Sequence, residues 1–362
     1  MQRVSNPVNI DENKLYYQIG IRSHSKGIFY KKAETGKQIG NKKIFWVESN
    51  CLILNIVFAW EQAVAKTSQK EIGMVVSHRF PMYKVLNNSL DYIVDFFKTE
   101  KGRQVLQMAS PGGAGRNKTL NQKFFLNSKV YLPSLKEQLI ISRFIALIEN
   151  RIETQIKIIE DLVLQKKYII SSLLTPFQDK KKILLKDILF DYNVKTTSNN
   201  EYPVLSSTAS GIYLQSEYFN NKEASSDNTA GYKIIPRGYC TYRSMSDTGL
   251  FTFNIQNLVE RGIVSPAYPV FSSNEYINEF IILYLNNSTD IKKQILELKS
   301  GGTRFALSFS TLCTLKIPKL EKEKQLSLVK TVTAFERKIE NEEIILNKLH
   351  QQKKYLLNNM FI

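Results

Sequence analysis

Histidine and cysteine are nearly absent. In 362 residues there are three of each, His24, His78 and His350, and Cys51, Cys240 and Cys313. The cysteines are too few and too scattered for a disulfide framework, and with the histidines they form no zinc-ligand spacing, so no metal site is expected. Long apolar runs are missing as well: the longest, 51–60, contains Asn55 and falls far short of the ~20 residues a membrane helix needs. The opening MQRVSNPVNIDENK lacks the charged-then-apolar plan of a signal peptide, and a cytoplasmic protein without a membrane partner is the expectation. Acidic residues are in deficit, 33 against 50 Lys and Arg, for a net charge of +17. The excess is spread along the chain, which points to a polyanionic partner, nucleic acid before an anionic membrane surface. A merely basic soluble protein is the plain alternative.

Catalytic motifs are missing too. No Asn-Pro-Pro-Tyr or Asp-Pro-Pro-Tyr is present to hold a flipped adenine, and no Gly-rich strand-to-helix turn suits S-adenosylmethionine. The stretch 112–119, GGAGRNKT, misses the phosphate-binding P-loop, because Asn117 stands where its second glycine belongs and no apolar strand leads into it. No catalytic residue and no cofactor bound by this chain are expected. The same loop offers backbone N–H groups with Arg116, Asn117 and Lys118 to a nucleic-acid phosphate or base edge, as Arg304 does in the later GGTR.

What is present is a duplication. Residues 138–174 and 325–361 match without a gap at an offset of 187, sharing Gln138/Gln325, Leu139/Leu326, Glu149/Glu336, Ile152/Ile339, Glu153/Glu340, Ile158/Ile345, Leu162/Leu349 and the tetrapeptide QKKY. Apolar residues in both copies recur at alternating steps of three and four. The first seam is Ile145, Ile148, Ile152, Ile159, Leu162, Ile169 and Leu173; the second is Val332, Phe335, Ile339, Leu346, Leu349, Leu356 and Met360. Such heptad spacing predicts two long helices that pair with each other as a coiled coil. Polar residues interrupt both seams at the same two rungs, Gln155/Glu342 and Lys166/Lys353, which penalises slipped registers and favours one alignment.

The segments before each helix repeat as well. Gly27-Ile28-Phe29 recurs as Gly211-Ile212-Tyr213, SHRFPMY (77–83) as SPAYPVF (265–271), and Leu132-Pro133 as Ile317-Pro318. β-Branched and aromatic stretches at 16–21, 43–47, 51–57, 73–77 and 129–132 read as strands, and 90–108 as a helix in two pieces around 99–102. The fold class predicted is α+β: recognition domains at 1–133 and 177–318, each followed by a spacer helix, 134–176 and 319–362, the helices antiparallel and the whole pseudo-twofold. Two basic domains on a rigid spacer suit duplex DNA, whose turn of roughly 34–36 Å lets separated half-sites be read. Because the halves share framework but differ in most loops, the expected target is bipartite and asymmetric.

Base reading calls for Arg, Asn and hydroxyl or aromatic side chains on loops, since Arg pairs bidentately with guanine and Asn with adenine. In the first domain the candidates are Arg22, Ser23, His24, Lys26, His78 and Arg79; in the second, Ser206, Ser207, Thr208, Arg237, Tyr242, Arg243 and Ser244. RSHSK (22–26) and YRSMS (242–246) lead, because each adjoins a predicted strand that fixes its position.

The order domain, helix, domain, helix, with LPSLKEQ (132–138) and IPKL (317–320) ahead of the helices, QKKY near their ends, and the SHRFPMY and GGAGRNKTL stretches, resembles the specificity subunit of Type I restriction-modification systems. The resemblance spans essentially the whole chain. It implies two target-recognition domains on double-stranded DNA, with the helices docking two modification (methyltransferase) subunits and, through them, ATP-dependent restriction subunits. S-Adenosylmethionine, ATP and Mg are implied for those partners. One departure stands out: KKILLKDILFDY (181–192) precedes the second domain's first strand, whereas the first domain starts almost directly, so its beginning is expected to be truncated or differently completed. The contrasting reading is a coiled-coil scaffold with two protein-binding domains and no DNA role, which predicts no salt-sensitive DNA binding.

Overall fold

The computed structural model describes residues 1–112, 118–177, 180–218, 228–298 and 305–361. It divides into two compact units, residues 1–157 with 343–362, and residues 158–342. Each unit therefore holds one α+β domain and part of both long helices, Leu135–Leu174 and Lys322–Asn359.

In the first unit a four-stranded antiparallel sheet has the order Gln2–Val4, Met82–Lys84, Leu52–Leu54, Val64–Lys66. Side chains alternate across it, as strand geometry requires. Leu52, Leu54, Val64 and Tyr83 face the helices, packing on Tyr92, Phe96, Phe97 and Leu106. Cys51, Ile53, Ala65 and Met82 face the other way, onto Ile19 and Ile21 from a small hairpin and Val76 from a separate two-stranded sheet. The helical segment breaks at Thr99, whose Oγ1 accepts from Gly102 N and caps Glu100–Met108. A side chain at Gly102 would meet the Phe96 carbonyl oxygen, so only glycine lets this helix start so close to its predecessor.

The second unit repeats this plan strand for strand: Leu189–Asp191, Val270–Ser273, Cys240–Tyr242, Phe253–Ile255. Even the register repeats. Tyr83 opposite Leu52 becomes Phe271 opposite Cys240, and Met82 opposite Ile53 becomes Val270 opposite Thr241. Helices Asn278–Asn287 and Thr289–Glu297 stand where Leu90–Lys98 and Glu100–Met108 stand in the first unit. The second unit adds a two-stranded sheet, Lys182–Leu184 with Lys316–Pro318; in the first, the stretch 129–132, predicted as a strand, has no pairing partner among the described residues and is not one. Its sequence is suitable, but a strand exists only against a neighbour that takes up its backbone groups.

Every predicted seam residue is buried or half-buried. In the first unit Ile148 and Ile152 pack on Leu349, with Leu346 and Leu356 beside them, and Ile145 and Phe361 enter the domain core. In the second, Ile170, Leu174, Leu328 and Val332 do the same in theirs. Within each unit the contacts run antiparallel. The lysine interruptions have partners: Lys353 Nζ lies 2.6 Å from Glu149 Oε1, and Lys166 Nζ lies 3.1 Å from Glu336 Oε1. Because Glu149 and Glu336 are duplicates, as are Lys166 and Lys353, this is one contact made twice.

Each long helix is also fastened to its own domain by a duplicated glutamine, buried to 1% exposure. Gln138 Oε1 accepts from Ser89 N at 2.9 Å and its Nε2 donates to Pro133 O and Asn88 Oδ1. Gln325 Oε1 accepts from Ile277 N at 2.9 Å and its Nε2 donates to Leu320 O. The N–H groups at these helix starts have no partner of their own in the helix, so one amide side chain ends the loop and fixes the long helix together. Ser134 and Glu137 close the start of the first long helix reciprocally as a capping box.

Candidate nucleic-acid interface

In the first unit, RSHSK forms the tip of the hairpin Ile19–Ile21 with Ile28–Tyr30. The tip is held by its main chain. His24 N donates to Glu61 O at 2.7 Å and Ser25 N to Gln62 O at 3.0 Å, while both residues adopt left-handed backbone, φ 57° and 56°. Each such residue costs on the order of 1 kcal/mol, offset here by the paired amides. Gln62 in turn donates through Nε2 to Phe97 O and Thr99 O, so tip, turn and helix end form one support. Lys118 reaches the same turn, its Nζ 5.3 Å from the Trp60 ring centre. Arg22 lies over Phe29 at 5.5 Å.

The structure thus brings Arg22, Ser23, His24, Lys26 and Lys118 around residues 59–62. Arg22, Lys26 and Lys118 make no ion pair among the described residues, so their charge is available to a phosphate. His78 and Arg79 are exposed in the turn after Val75–Ser77, where His78 N donates to Lys43 O and Arg79 O accepts from Ile56 N. Arg116, Asn117 and Arg304 lie outside the described residues.

The second unit presents a different surface on the same frame. The equivalent hairpin, Leu205–Thr208 with Gly211–Leu214, ends in the neutral Thr208-Ala-Ser210. It borders a cleft of about 580 Å³ lined by Ser206, Ser207, Thr208, Tyr218, Arg243, Met245 and Tyr268, among others. The tip is held by Asn254, whose Nδ2 donates to Ser207 Oγ and Thr208 O, both at 2.9 Å. Arg243 is exposed and without an ion pair among the described residues; Tyr218, Met245 and Leu250 add exposed aromatic and apolar surface. Met245–Ser246 pairs with Phe305–Ala306, which brings the chain after the GGTR loop to the cleft wall.

Two sequence candidates fall elsewhere. Tyr242 is fully buried, its hydroxyl donating to Leu307 O at 3.0 Å among Phe253, Phe271 and Phe251 rings. It is a core residue, placed inward by the alternation that places Arg243 outward. Arg237 sits in the turn between Lys233–Pro236 and Cys240–Tyr242, paired through Nε with Glu260 at 2.8 Å, and does not line the cleft. Sequence reasoning passed over Asn254 and the carbonyls of Glu61 and Gln62, which hold the tips. Asn254 carries no local signal, because its partners lie 46 and 47 residues away.

The described residues include no group of three or more His, Cys, Asp or Glu placed to hold a metal ion, and no helix long and apolar enough to cross a membrane. Burial pushes the Cys51 and Cys240 thiols upward, the latter beyond the range of a reactive thiol.

No protein-family model matches the sequence. Solved structures do match the fold. The HsdS subunit from Thermoanaerobacter tengcongensis aligns with 99% of this chain and 93% of its own, at 13% identity and a TM-score of 0.54. A chain from a structure on complex assembly and conformational transition of the type I R-M system aligns with 99% of this chain and 94% of its own, at 13% identity and a TM-score of 0.63. The fold is thus that of Type I restriction-modification specificity subunits: α+β domains in tandem with long coiled-coil helices.

Proposed function

We propose that this chain is the DNA-specificity subunit of a Type I restriction-modification complex. It is non-catalytic and binds a bipartite, asymmetric double-stranded target through its two recognition domains. The observation that carries the reading is the pairing of one framework, repeated down to strand register, with two chemically different tips. One is a cationic hairpin around Arg22, His24 and Lys118; the other is a neutral hairpin beside a cleft holding Arg243. Repetition of the frame with divergence of the tips is what a reader of two unlike half-sites requires.

The long helices supply the docking surface for modification subunits. Leu139 and Leu326, Ile158 and Ile345, and Tyr168 and Tyr355 are identical between the copies and exposed in both. Apolar positions kept out of the seam twice over suit two copies of one partner. S-Adenosylmethionine, ATP and Mg belong to those partners and to the restriction subunits they carry.

The test is the adenine methylome of cells expressing the chain with its modification subunit, by single-molecule sequencing. One bipartite motif is expected. Arg22→Ala should relax or abolish only one half of it and Arg243→Ala only the other, while binding to random duplex falls steeply with salt. A soluble complex with no new motif and no salt-sensitive duplex binding would sink the proposal in favour of a protein-binding scaffold.

A further inference from the structure

The hairpin tips of the two units stand on equivalent strands but are fastened differently. With Gly27-Ile28-Phe29 matched to Gly211-Ile212-Tyr213, Ile21, which opposes Ile28, corresponds to Ser207, which opposes Ile212, and Arg22 corresponds to Thr208. The strand behind them repeats too: Ala65 opposite Ile53 becomes Asn254 opposite Thr241. Ile21 and Ala65 are buried in one apolar cluster, whereas Ser207 and Asn254 are joined by a hydrogen bond. Both partners differ in kind between the copies, an apolar pair in one and a polar pair in the other.

The loop above them differs in length. In the first unit residues 23–26 join Arg22 to Gly27, and the tip lies down on the turn at Glu61 and Gln62 through the amides of His24 and Ser25. In the second only 209 and 210 join Thr208 to Gly211. Leu250 and Phe251, which hold the places of Glu61 and Gln62 ahead of the next strand, receive no main-chain hydrogen bond from the tip among the described residues. They line the cleft instead, with Ser207, Thr208 and Ala209. The cleft is thus the space that the longer tip closes in the first unit.

The short tip is held by Asn254. Thr208 O can only accept, so the atom 2.9 Å from it is the amide nitrogen, and the same group donates to Ser207 Oγ. Ser207 Oγ, occupied as an acceptor, keeps its own hydrogen for an acceptor in the cleft. Asn254 lies on Phe253–Ile255, which is paired with Cys240–Tyr242, and the next residue is Arg243 on the cleft wall. One amide therefore ties the tip to the strand pair that presents Arg243.

We propose that Asn254 is the positioning residue of the second half-site. It is not among the described residues that line the cleft; it sets the distance between Thr208 and Arg243 and directs the Ser207 hydroxyl toward base-edge acceptors. This inference rests on the DNA-specificity reading and names a residue that tunes it.

Asn254→Asp is nearly isosteric but has no hydrogen to donate, so it turns the Ser207 hydroxyl toward itself and repels Thr208 O. Asn254→Ala removes the grip, and the frame tolerates it, since the first unit carries Ala65 there. The adenine methylomes of both variants, each expressed with the modification subunit, are compared with that of the wild-type chain. Expected is a loss of about tenfold in discrimination, the order of one base-pair contact, larger for Asp than for Ala. It should be confined to the half of the motif that Arg243→Ala alters, and the half altered by Arg22→Ala should stay unchanged. Amide hydrogen exchange at 209–211 in the purified complex should quicken while the melting temperature stays near that of the wild type. Methylation reduced at every site with the motif kept makes Asn254 a fold residue only and overturns the proposal. No motif from the wild-type chain overturns the DNA-specificity reading beneath it, whereas a wild-type motif that both variants keep unaltered counts against Asn254 alone.

Discussion

Glu149 and Glu336 are the same residue of the same duplicated helix, each facing the duplicate of the other's lysine, yet their surroundings differ. In the first unit Lys98 intrudes, reaching Asp95 at 2.7 Å and Glu149 at 3.5 Å. Burial pulls the Lys98 pKa down, but Asp95 and Glu149 outweigh it and the net shift is upward. Burial likewise pushes Glu149 up, and Lys98 with Lys353 outweighs it to hold the carboxyl below its ordinary range. For Asp95 burial prevails, leaving its carboxyl above the usual value despite Lys98. The second unit has Asn286 at the position of Lys98, and its amide only bridges the main chain of Phe253. A duplicated contact can therefore be part of a half-buried ionic junction in one copy and a simple, more exposed pair in the other, and its importance must be read from the neighbours.

Lys98→Met should give the largest effect, about 3 kcal/mol of stability lost near neutral pH in urea unfolding, because it removes the cation paired with buried Asp95 and leaves Glu149 to Lys353. Glu149, depressed, contributes stability above the unfolded carboxylate range and loses it as pH falls through its folded value; Asp95, raised, works in the opposite sense. Without Lys98 both carboxyls rise, so the deficit should shrink steadily as pH falls and both protonate. A deficit independent of pH would make Lys98 a packing residue.

Next in size are the glutamine clamps. Gln138→Leu and Gln325→Leu each leave a main-chain N–H unpaired, that of Ser89 or Ile277, at a cost of about 2 kcal/mol. Gln138 should cost slightly more, since it makes three hydrogen bonds to Gln325's two. Equal behaviour of these two would show that the clamp, unlike the ion pair, was inherited intact. Smallest is Glu336→Gln, about 0.5 kcal/mol, as expected for a pair this exposed. Glu149→Gln should cost more than Glu336→Gln in parallel melts; the reverse order would mean that Lys98 adds nothing to the Glu149 pair.

The sequence displayed the repeat, the seam and the two lysine rungs, because a helix writes its buried face at a fixed period. It displayed Arg243 and the RSHSK tip, because strands bounded by turn residues are local features. It did not display the partner of a lysine rung, the burial of Tyr242 or the grip of Asn254. Those depend on which segments meet across dozens of residues. The stretch 129–132 shows the limit most directly: its composition is that of a strand, and the deciding fact is what lies beside it.

The left-handed tip of the first unit has a bearing on how such a surface can change over generations. Its shape is fixed by amides of His24 and Ser25 on the carbonyls of Glu61 and Gln62, groups that every residue except proline supplies. Most side chains at 22–26 can therefore be exchanged while the loop keeps its form, proline and β-branched residues at the left-handed positions 24 and 25 excepted, so this surface can drift without passing through variants that fail to fold.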